Sequence, residues 1–371
     1  MAEKQELVLG IDLGGTKILS AVIDANGCKL SSHYAGTPAS EGPEVVVAAI
    51  VESSRVSIRD AGSEISDILA VGLAAPGLIN AKLGLVHTSP NLPGWKDVPL
   101  KRAVEKALGK PVFLINDAHA AALGELHAGA GRGSRNFIYI TVSTGIGGGL
   151  ILNGEIYEGS GGFAGEIGHM VIDDDGPMCY CGNRGCWEML ASGRALEREA
   201  RRRIESGSKT TILSFCLHER SEGPQSRPLE GDTFCLPERS EGPQSLGLEG
   251  VTFCLPERSE GPQSHPLDCV TAKAIHAAAK AGDSLAIELI NRNAYYLGVG
   301  LANIINIFNP ERIVIGGGLS NMGEMLLKPA IVEAGRRAFK QSFEAVKFVI
   351  AELGGNSGVI GAAAYARSKS R

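Results

Sequence analysis

Several familiar signals are missing from this sequence. No stretch is long and apolar enough to cross a bilayer, which takes roughly 20 mainly apolar residues. One long uncharged run, "NAYYLGVGLANIINIFNP", is broken by four asparagines and two glycines. The N-terminus, "MAEKQELVLGIDLGG", enters a strand-like run at once and lacks the charged-then-apolar pattern of an export leader. An excess of positive charge is also missing. With 36 Lys and Arg against 41 Asp and Glu, the formal net charge is -5, which favours neither nucleic acid nor an anionic membrane. There is no Walker loop (G-x-x-x-x-G-K-[S/T]), and no G-x-G-x-x-G opens the first helix, so the P-loop and dinucleotide-binding readings lose ground. These absences lead to the expectation of a cytoplasmic protein with no membrane or nucleic-acid partner. In that setting, eight cysteines point to a metal or to free thiols rather than to disulfides.

What is present is an ordinary globular composition, 44% hydrophobic and 21% charged, on a 371-residue chain long enough for two lobes. Strand-like and helical runs alternate, an α/β pattern. "LVLGIDLGGTKILSAVID" reads as two strands joined at a glycine turn, and "RNFIYITVSTGIGGGLILNGEIY" repeats the theme. Between them, "GPEVVVAAIVESSRVSIRDAG" and "WKDVPLKRAVEKALG" read as helices, "ILAVGLAAPG" as a strand, and "PVFLINDAHAAALGEL" as a strand passing into a helix. A tandem repeat interrupts the pattern. "FCLHERSEGPQS" at Phe215 returns as "FCLPERSEGPQS" at Phe234 and Phe253, a 19-residue period. Each copy offers one Phe-Cys-Leu triplet before charged residues and a Gly-Pro pair, too little apolar surface to offset ordering the chain. Residues 215–267 are therefore expected to form a mobile insert, with Cys216, Cys235 and Cys254 outside any metal site.

The glycine turns carry the first chemistry. In "GIDLGGTK", Asp12 ends an apolar strand and Gly14, Gly15, Thr16 and Lys17 form the turn. Glycines let backbone N–H groups approach a phosphate, Thr16 adds a hydroxyl, and Asp12 suits Mg²⁺ held through water. A plain hairpin turn explains one such segment equally well. The second, "TVSTGIGGGLI", adds Thr144, Gly145 and Gly147 between two more strands, so the two turns can clamp a triphosphate from both sides. A third cluster, Gly316, Gly317 and Gly318 in "IVIGGGLS", would let an adenine ring approach the backbone.

Taken in order, "DLGGTK", "IND", "STGIGGG", "GEIGH", "CYCGNRGCWE" and "IVIGGG" resemble the ROK family of sugar kinases and repressors. The resemblance covers nearly the whole chain outside 215–267. It implies an actin-like ATPase (ribonuclease H-like) fold of two α/β lobes, with ATP and sugar meeting in the cleft between them. A small lobe over 1–120 and a larger one over 121–371 are expected, the last helix packing back on the first lobe. The family also favours a homodimer.

Phosphoryl transfer to an alcohol needs alignment, charge neutralisation and a group to accept the hydroxyl proton. Asp117, where a strand passes into a helix, can supply that carboxylate, although the same place suits a helix N-cap. Family resemblance makes Asp117 the catalytic base and Asn116 a sugar-hydroxyl partner. It also places Gly77 of "AAPGLIN" and Asn91 of "TSPNLPGW" against the sugar, a proline-flanked turn being the plainer reading of Asn91. His169, Cys179, Cys181 and Cys186 supply one imidazole and three thiolates, a closed tetrahedral set suited to a structural Zn²⁺. Glu166, His169 and Glu188 match the family's sugar-contacting residues. An imidazole can bind zinc through one nitrogen and a sugar hydroxyl through the other. His87, His119 and His127 read as structural histidines. The resemblance thus implies ATP-dependent phosphorylation of a hexose at its 6-hydroxyl, most like glucokinases. N-acetylmannosamine, fructose, mannose and allose remain as alternative sugars, because one or two hydroxyl contacts separate them. A sugar-sensing repressor is the remote alternative, since "DLGGTK" starting at Asp12 leaves little room for a DNA-binding module ahead of it.

Overall fold

The computed structural model describes residues 6–221 and 267–370. The first lobe runs β1 (Leu7–Leu13), β2 (Lys17–Ile23), β3 (Lys29–Gly36), α1 (Pro43–Asp60), β4 (Ile68–Ala75), β5 (Leu78–Asn80), β6 (Leu85–Thr88), α2 (Leu100–Leu108) and β7 (Val112–Asn116), then α3 (Asp117–Ala128). The second runs β8 (Phe137–Val142), β9 (Ile146–Leu152), β10 (Glu155–Ile156), α4 (Trp187–Ala191), α5 (Gly193–Glu205), α6 (Ile212–Ser221), α7 (Ala272–Lys280), α8 (Ser284–Phe308), β11 (Arg312–Gly316), α9 (Glu324–Arg337), α10 (Lys340–Ala345) and β12 (Lys347–Ile350). A final helix, α11 (Ser357–Lys369), follows.

Each lobe is built on a five-stranded sheet, in the order β3-β2-β1-β4-β7 and β10-β9-β8-β11-β12. Each sheet opens with an antiparallel hairpin, β1–β2 and β8–β9, and continues with parallel strands. This is the two-lobed actin-like fold, each half opening on a strand, a glycine turn and a strand. Parallel strands covered on both faces should read as unbroken apolar runs, and β1 and β4 do, with nearly every residue buried. In the first sheet Asp12 pairs with Ala74, and Ala75 with Asn116. The carboxyl ends of β1, β4 and β7 therefore lie side by side, where open α/β sheets place their ligands.

The last helix returns to the first sheet. Val359, Ala363 and Ala366 of α11 share a buried cluster with Val8, Leu19, Ala21, Ile23 and Ala70. The approach is close enough to need glycine on both sides. A Cβ at Gly10 of β1 would collide with the Val359 carbonyl, and one at Gly72 of β4 with the Ala362 carbonyl. Glu125 of α3 anchors the entry to α11. It is fully buried, and its carboxylate accepts four hydrogen bonds, from Ala130 N–H (2.8 Å), Glu352 N–H (3.1 Å), Leu353 N–H (3.0 Å) and the Ser357 hydroxyl (2.8 Å). Removing that carboxylate would strand several buried donors, each costing about 1–3 kcal/mol.

Two expectations need correction. The segment from Trp95 is not helical until Leu100, where α2 begins behind Pro99. The proposed insert also starts too early: Phe215 and Cys216 lie on α6, with Cys216 buried and Phe215 packed on the core of the second lobe. Leu267 joins the same core on the return. The local composition of the repeat carries no sign of this packing, because the partners come from elsewhere in the chain. Residues 222–266 of the repeat region, Cys235 and Cys254 included, lie outside the described residues.

Candidate active site

Asp12 and Asp117 are delivered by the ends of β1 and β7, and each is partly covered. Burial pushes the Asp12 carboxyl up to about 7, the Asp117 charge adds to the rise, and Lys17 opposes it. Asp117 is pushed up to about 6, again mainly by burial, while the Ala118 N–H works against the rise. Two carboxyls held this way form a site that a divalent cation would neutralise. Asp12 fits Mg²⁺ on that ground. The first turn of α11 closes against it, since a Cβ at Gly358 would meet the Asp12 carboxylate.

The N-cap of α3 is Asn116, not Asp117. Its side-chain oxygen accepts from Ala118 N–H (2.9 Å) and His119 N–H (3.2 Å). With the neighbour as cap, Asp117 Oδ1 accepts from Ala118 N–H at 2.8 Å, and among the described residues Oδ2 accepts from no other residue. The Asn116 amide also donates to the Gly77 carbonyl at 3.4 Å. Gly77 has φ +103°, and a side chain there would strike the Thr88 carbonyl. Asn91 stands against the first glycine turn, where a Cβ on Gly15 would meet its backbone and side chain. Thr16 and Lys17 are exposed beside it, and the Lys17 ammonium lies 5.5 Å from the Tyr34 ring centre.

The second turn is arranged differently. The Glu188 carboxylate accepts the Ile146 N–H at 2.9 Å and fills the space beside Gly145, where a Cβ would clash with it. Gly147 abuts Ala118 of α3 and Thr141, while Thr144 stays exposed. In the third cluster, Tyr139 stands against Gly316 and the Val142 backbone against Gly317, which has φ +88°; a Cβ on Gly318 would meet only the Ser143 hydroxyl, at an ordinary contact distance. Most of these glycines therefore have a neighbour inside the protein that requires them.

His169, Cys179, Cys181 and Cys186 come together, their ligand atoms all within 4.8 Å of one another. His169 Nδ1 is 3.5 Å from Cys179 Sγ, and Cys181 Sγ is 3.5 Å from Cys186 Sγ. One nitrogen and three sulfurs at these separations fit a single tetrahedral ion. The other nitrogen, Nε2, faces away, toward the Tyr180 hydroxyl at 3.0 Å and a Glu166 oxygen at 3.9 Å. Glu166 is pushed up to about 7 by burial of its carboxyl and by the charges of Asp117 and Glu188, although 47% of its side chain remains open to solvent. Glu166 thus lies within reach of the charges of both Asp117 and Glu188. A cavity of about 260 Å³, lined by Lys82, Lys101 and Lys369 among others, includes none of these groups.

With that geometry in view, a profile of the ROK family matches residues 8–229 and 254–369. The chain belongs to the ROK family. The unmatched internal stretch, 230–253, falls within the repeat. It is similar to a glucokinase of Streptomyces coelicolor, 37% identical over 97% of this chain and 98% of that one. Among solved structures it is similar to a ROK family glucokinase from Streptomyces griseus in complex with glucose and AMPPNP, 33% identical, covering 98% and 99% of the two chains, with a TM-score of 0.74. It is also similar to a putative xylose repressor of Caldicellulosiruptor sp., 30% identical over 96% of this chain and 77% of the repressor.

Two residues with a marked place in the structure, one beside the site and one in the fold, escaped the sequence reading. Tyr180 lies inside the cysteine motif, yet nothing in its spacing marks it as facing His169. Glu125 could have been flagged, since an acid amid "AAALGEL" on a helix this apolar must find buried partners. The histidines expected to be structural are accounted for within the fold. His119 is buried against the Ala164 carbonyl and His87 pairs with Asp97; burial lowers His127.

Proposed function

We propose that this ROK protein transfers the γ-phosphoryl group of ATP to the 6-hydroxyl of a hexose, with glucose as the preferred substrate. The observation that carries the reading is the convergence of Asp12, Asp117, Glu166 and Glu188 in one electrostatically coupled group between the two glycine turns. The similarity to glucokinases over nearly the full chain supports it.

In this reading Asp117 accepts the proton of the attacking hydroxyl through Oδ2. Its raised pKa brings it near the operating pH, where a base combines basicity with ionisation. Asp12 would hold Mg²⁺, which supplies charge neutralisation on the phosphates when bound, and Lys17 stands beside it. Gly14, Gly15 and Thr16 would face the phosphates from one lobe, Thr144, Gly145 and Gly147 from the other, with Gly316, Gly317 and Gly318 toward the adenosine. Asn91, Asn116, Gly77, Glu166, His169 and Glu188 would orient the sugar, which matters because misplacement by about 1 Å can cost 10²-fold in rate. His169, Cys179, Cys181 and Cys186 would hold a structural Zn²⁺ that fixes the sugar-reading loop and takes no part in the chemistry. A homodimer belongs to the same proposal and is checked by the solution mass.

The test is a coupled ADP-release assay with Mg-ATP against a panel of hexoses and N-acetylhexosamines. Glucose as the best substrate supports the reading. Another sugar preferred by a clear margin keeps the mechanism and replaces the substrate. No turnover with any sugar, from folded and metal-loaded protein, overturns the kinase.

A further inference from the structure

Tyr180 sits between Cys179 and Cys181, so any ion held by those thiols fixes its backbone on both sides. Its ring meets the His169 imidazole edge-on, with centroids 5.0 Å apart and planes at 88°. Its hydroxyl oxygen is 3.0 Å from His169 Nε2. With an ion held on Nδ1, the direction of that hydrogen bond follows. Nδ1 is the nitrogen turned to Cys179. A neutral imidazole that ligates a metal through Nδ1 carries its proton on Nε2. The Nε2–H therefore donates to the Tyr180 oxygen, and the phenol keeps its own proton for an acceptor. The phenol is protonated at neutral pH, as any ordinary tyrosine is, and the carboxylates near it are Glu188 and Glu166. Glu188 in turn accepts from Ile146 N–H in the second glycine turn. A polar line thus runs from the cysteine cluster through His169, Tyr180 and Glu188 to the β8–β9 hairpin.

The two ends of the Tyr180 contact, His169 Nε2–H and a glutamate carboxylate, are one donor and one acceptor. A sugar hydroxyl engages such a pair in the same way, accepting from one and donating to the other. The geometry points to Tyr180 as an internal stand-in for a substrate hydroxyl, holding His169 and Glu188 in place in the free enzyme and giving way when a hexose arrives. This rests on the assignment of His169 and Glu188 to the sugar made above. Tyr180 would not be catalytic. It would be a residue that sets affinity, since every sugar must replace the phenol's hydrogen bonds before gaining its own. Tyr180 is 58% exposed, so room to swing aside exists. A sugar whose hydroxyl is inverted at this place would meet the phenol instead of displacing it.

Tyr180→Phe keeps the ring against His169 and removes only the oxygen. Glucose binding is measured by calorimetry without ATP, on wild type and variant of equal metal content. One neutral hydrogen bond that no longer has to be exchanged corresponds to roughly a 5-fold change in affinity, so the variant should bind glucose about 5-fold more tightly. Equal or weaker binding in the variant, with wild type binding normally, overturns the stand-in role and leaves the kinase assignment untouched. Wild type that binds no hexose removes the sugar-site assignment, and the proposal with it. A second measurement on wild type alone follows the His169 Nε2–H by ¹⁵N NMR. Exchange of its acceptor from phenol to sugar should move that signal on adding glucose, and an unmoved signal in glucose-saturated protein overturns the proposal.

Discussion

The two glycine hairpins look interchangeable as sequence, yet the structure uses them in opposite ways. At β1–β2 the turn is open to the cleft: Thr16 and Lys17 are exposed, Asp12 stands at the strand end, and Asn91 flanks Gly15. At β8–β9 the turn is braced from behind. Glu188 occupies the space beside Gly145 and ties itself to Ile146, and Gly147 to Gly149 pack on α3 and Ile167. The same strand-turn-strand unit brings a carboxylate into the site in one lobe and receives one in the other. A glycine-rich turn is therefore not by itself a phosphate cradle; what its missing side chains make room for has to be asked residue by residue.

The sharpest break between the two would come from their carboxylates. Asp117→Asn should reduce turnover by about 10²–10⁴-fold while glucose binding stays measurable; near-normal turnover would remove Asp117 as the base. Asp12→Asn should show its loss mainly in Mg-ATP, with glucose binding unchanged. Next in size is metal removal. A chelator should release about one zinc per chain and weaken glucose binding, and intact affinity in zinc-free protein would separate the cysteine cluster from the sugar site. Gly145→Ala probes the braced turn. It displaces the Glu188 carboxylate, so the KM for glucose should rise roughly tenfold, about 1.4 kcal/mol, with a smaller change for ATP. A change confined to ATP would mean that this turn serves phosphate alone. The smallest effect concerns pH. Asp12 and Asp117 have folded pKa values of about 7 and 6 against 3.8 for the ordinary carboxyl. Their contribution to ligand-free stability is complete below about pH 4 and lost as pH rises through 6 to 7. Melting temperatures should reflect this as a fall of roughly a few degrees over that window, flattened in Asp12→Asn. The acid limb of kcat/KM should lie near pH 6.

Much of this was legible in the residues. Apolar runs ending in Gly-rich turns marked β1–β2 and β8–β9, and the spacing of His169, Cys179, Cys181 and Cys186 marked a cluster that does assemble. The edge strand β3 was not legible, because most of its residues are exposed or half-buried and it carries no strand-like apolar alternation. Nor was the bond from Glu188 to Ile146, which joins residues 42 positions apart. Asn116 rather than Asp117 as the cap depends on backbone angles that neither residue type dictates. In each case the deciding partner is distant in sequence or set by geometry, and periodicity cannot report it.

The packing of α11 has a consequence for how the molecule is made. Residues 357–369 cover the first sheet, and Gly10 and Gly72, synthesised long before them, are shaped to receive them. On a ribosome the first lobe emerges before the second, but its β1–β4 face lacks this cover until residues 357–369 have been translated. The first lobe must therefore wait with exposed apolar surface while the second, repeat segment included, is being synthesised. Chaperone demand during synthesis should track the time taken to translate what lies between the two lobes, so lengthening that segment slows maturation without touching the active site.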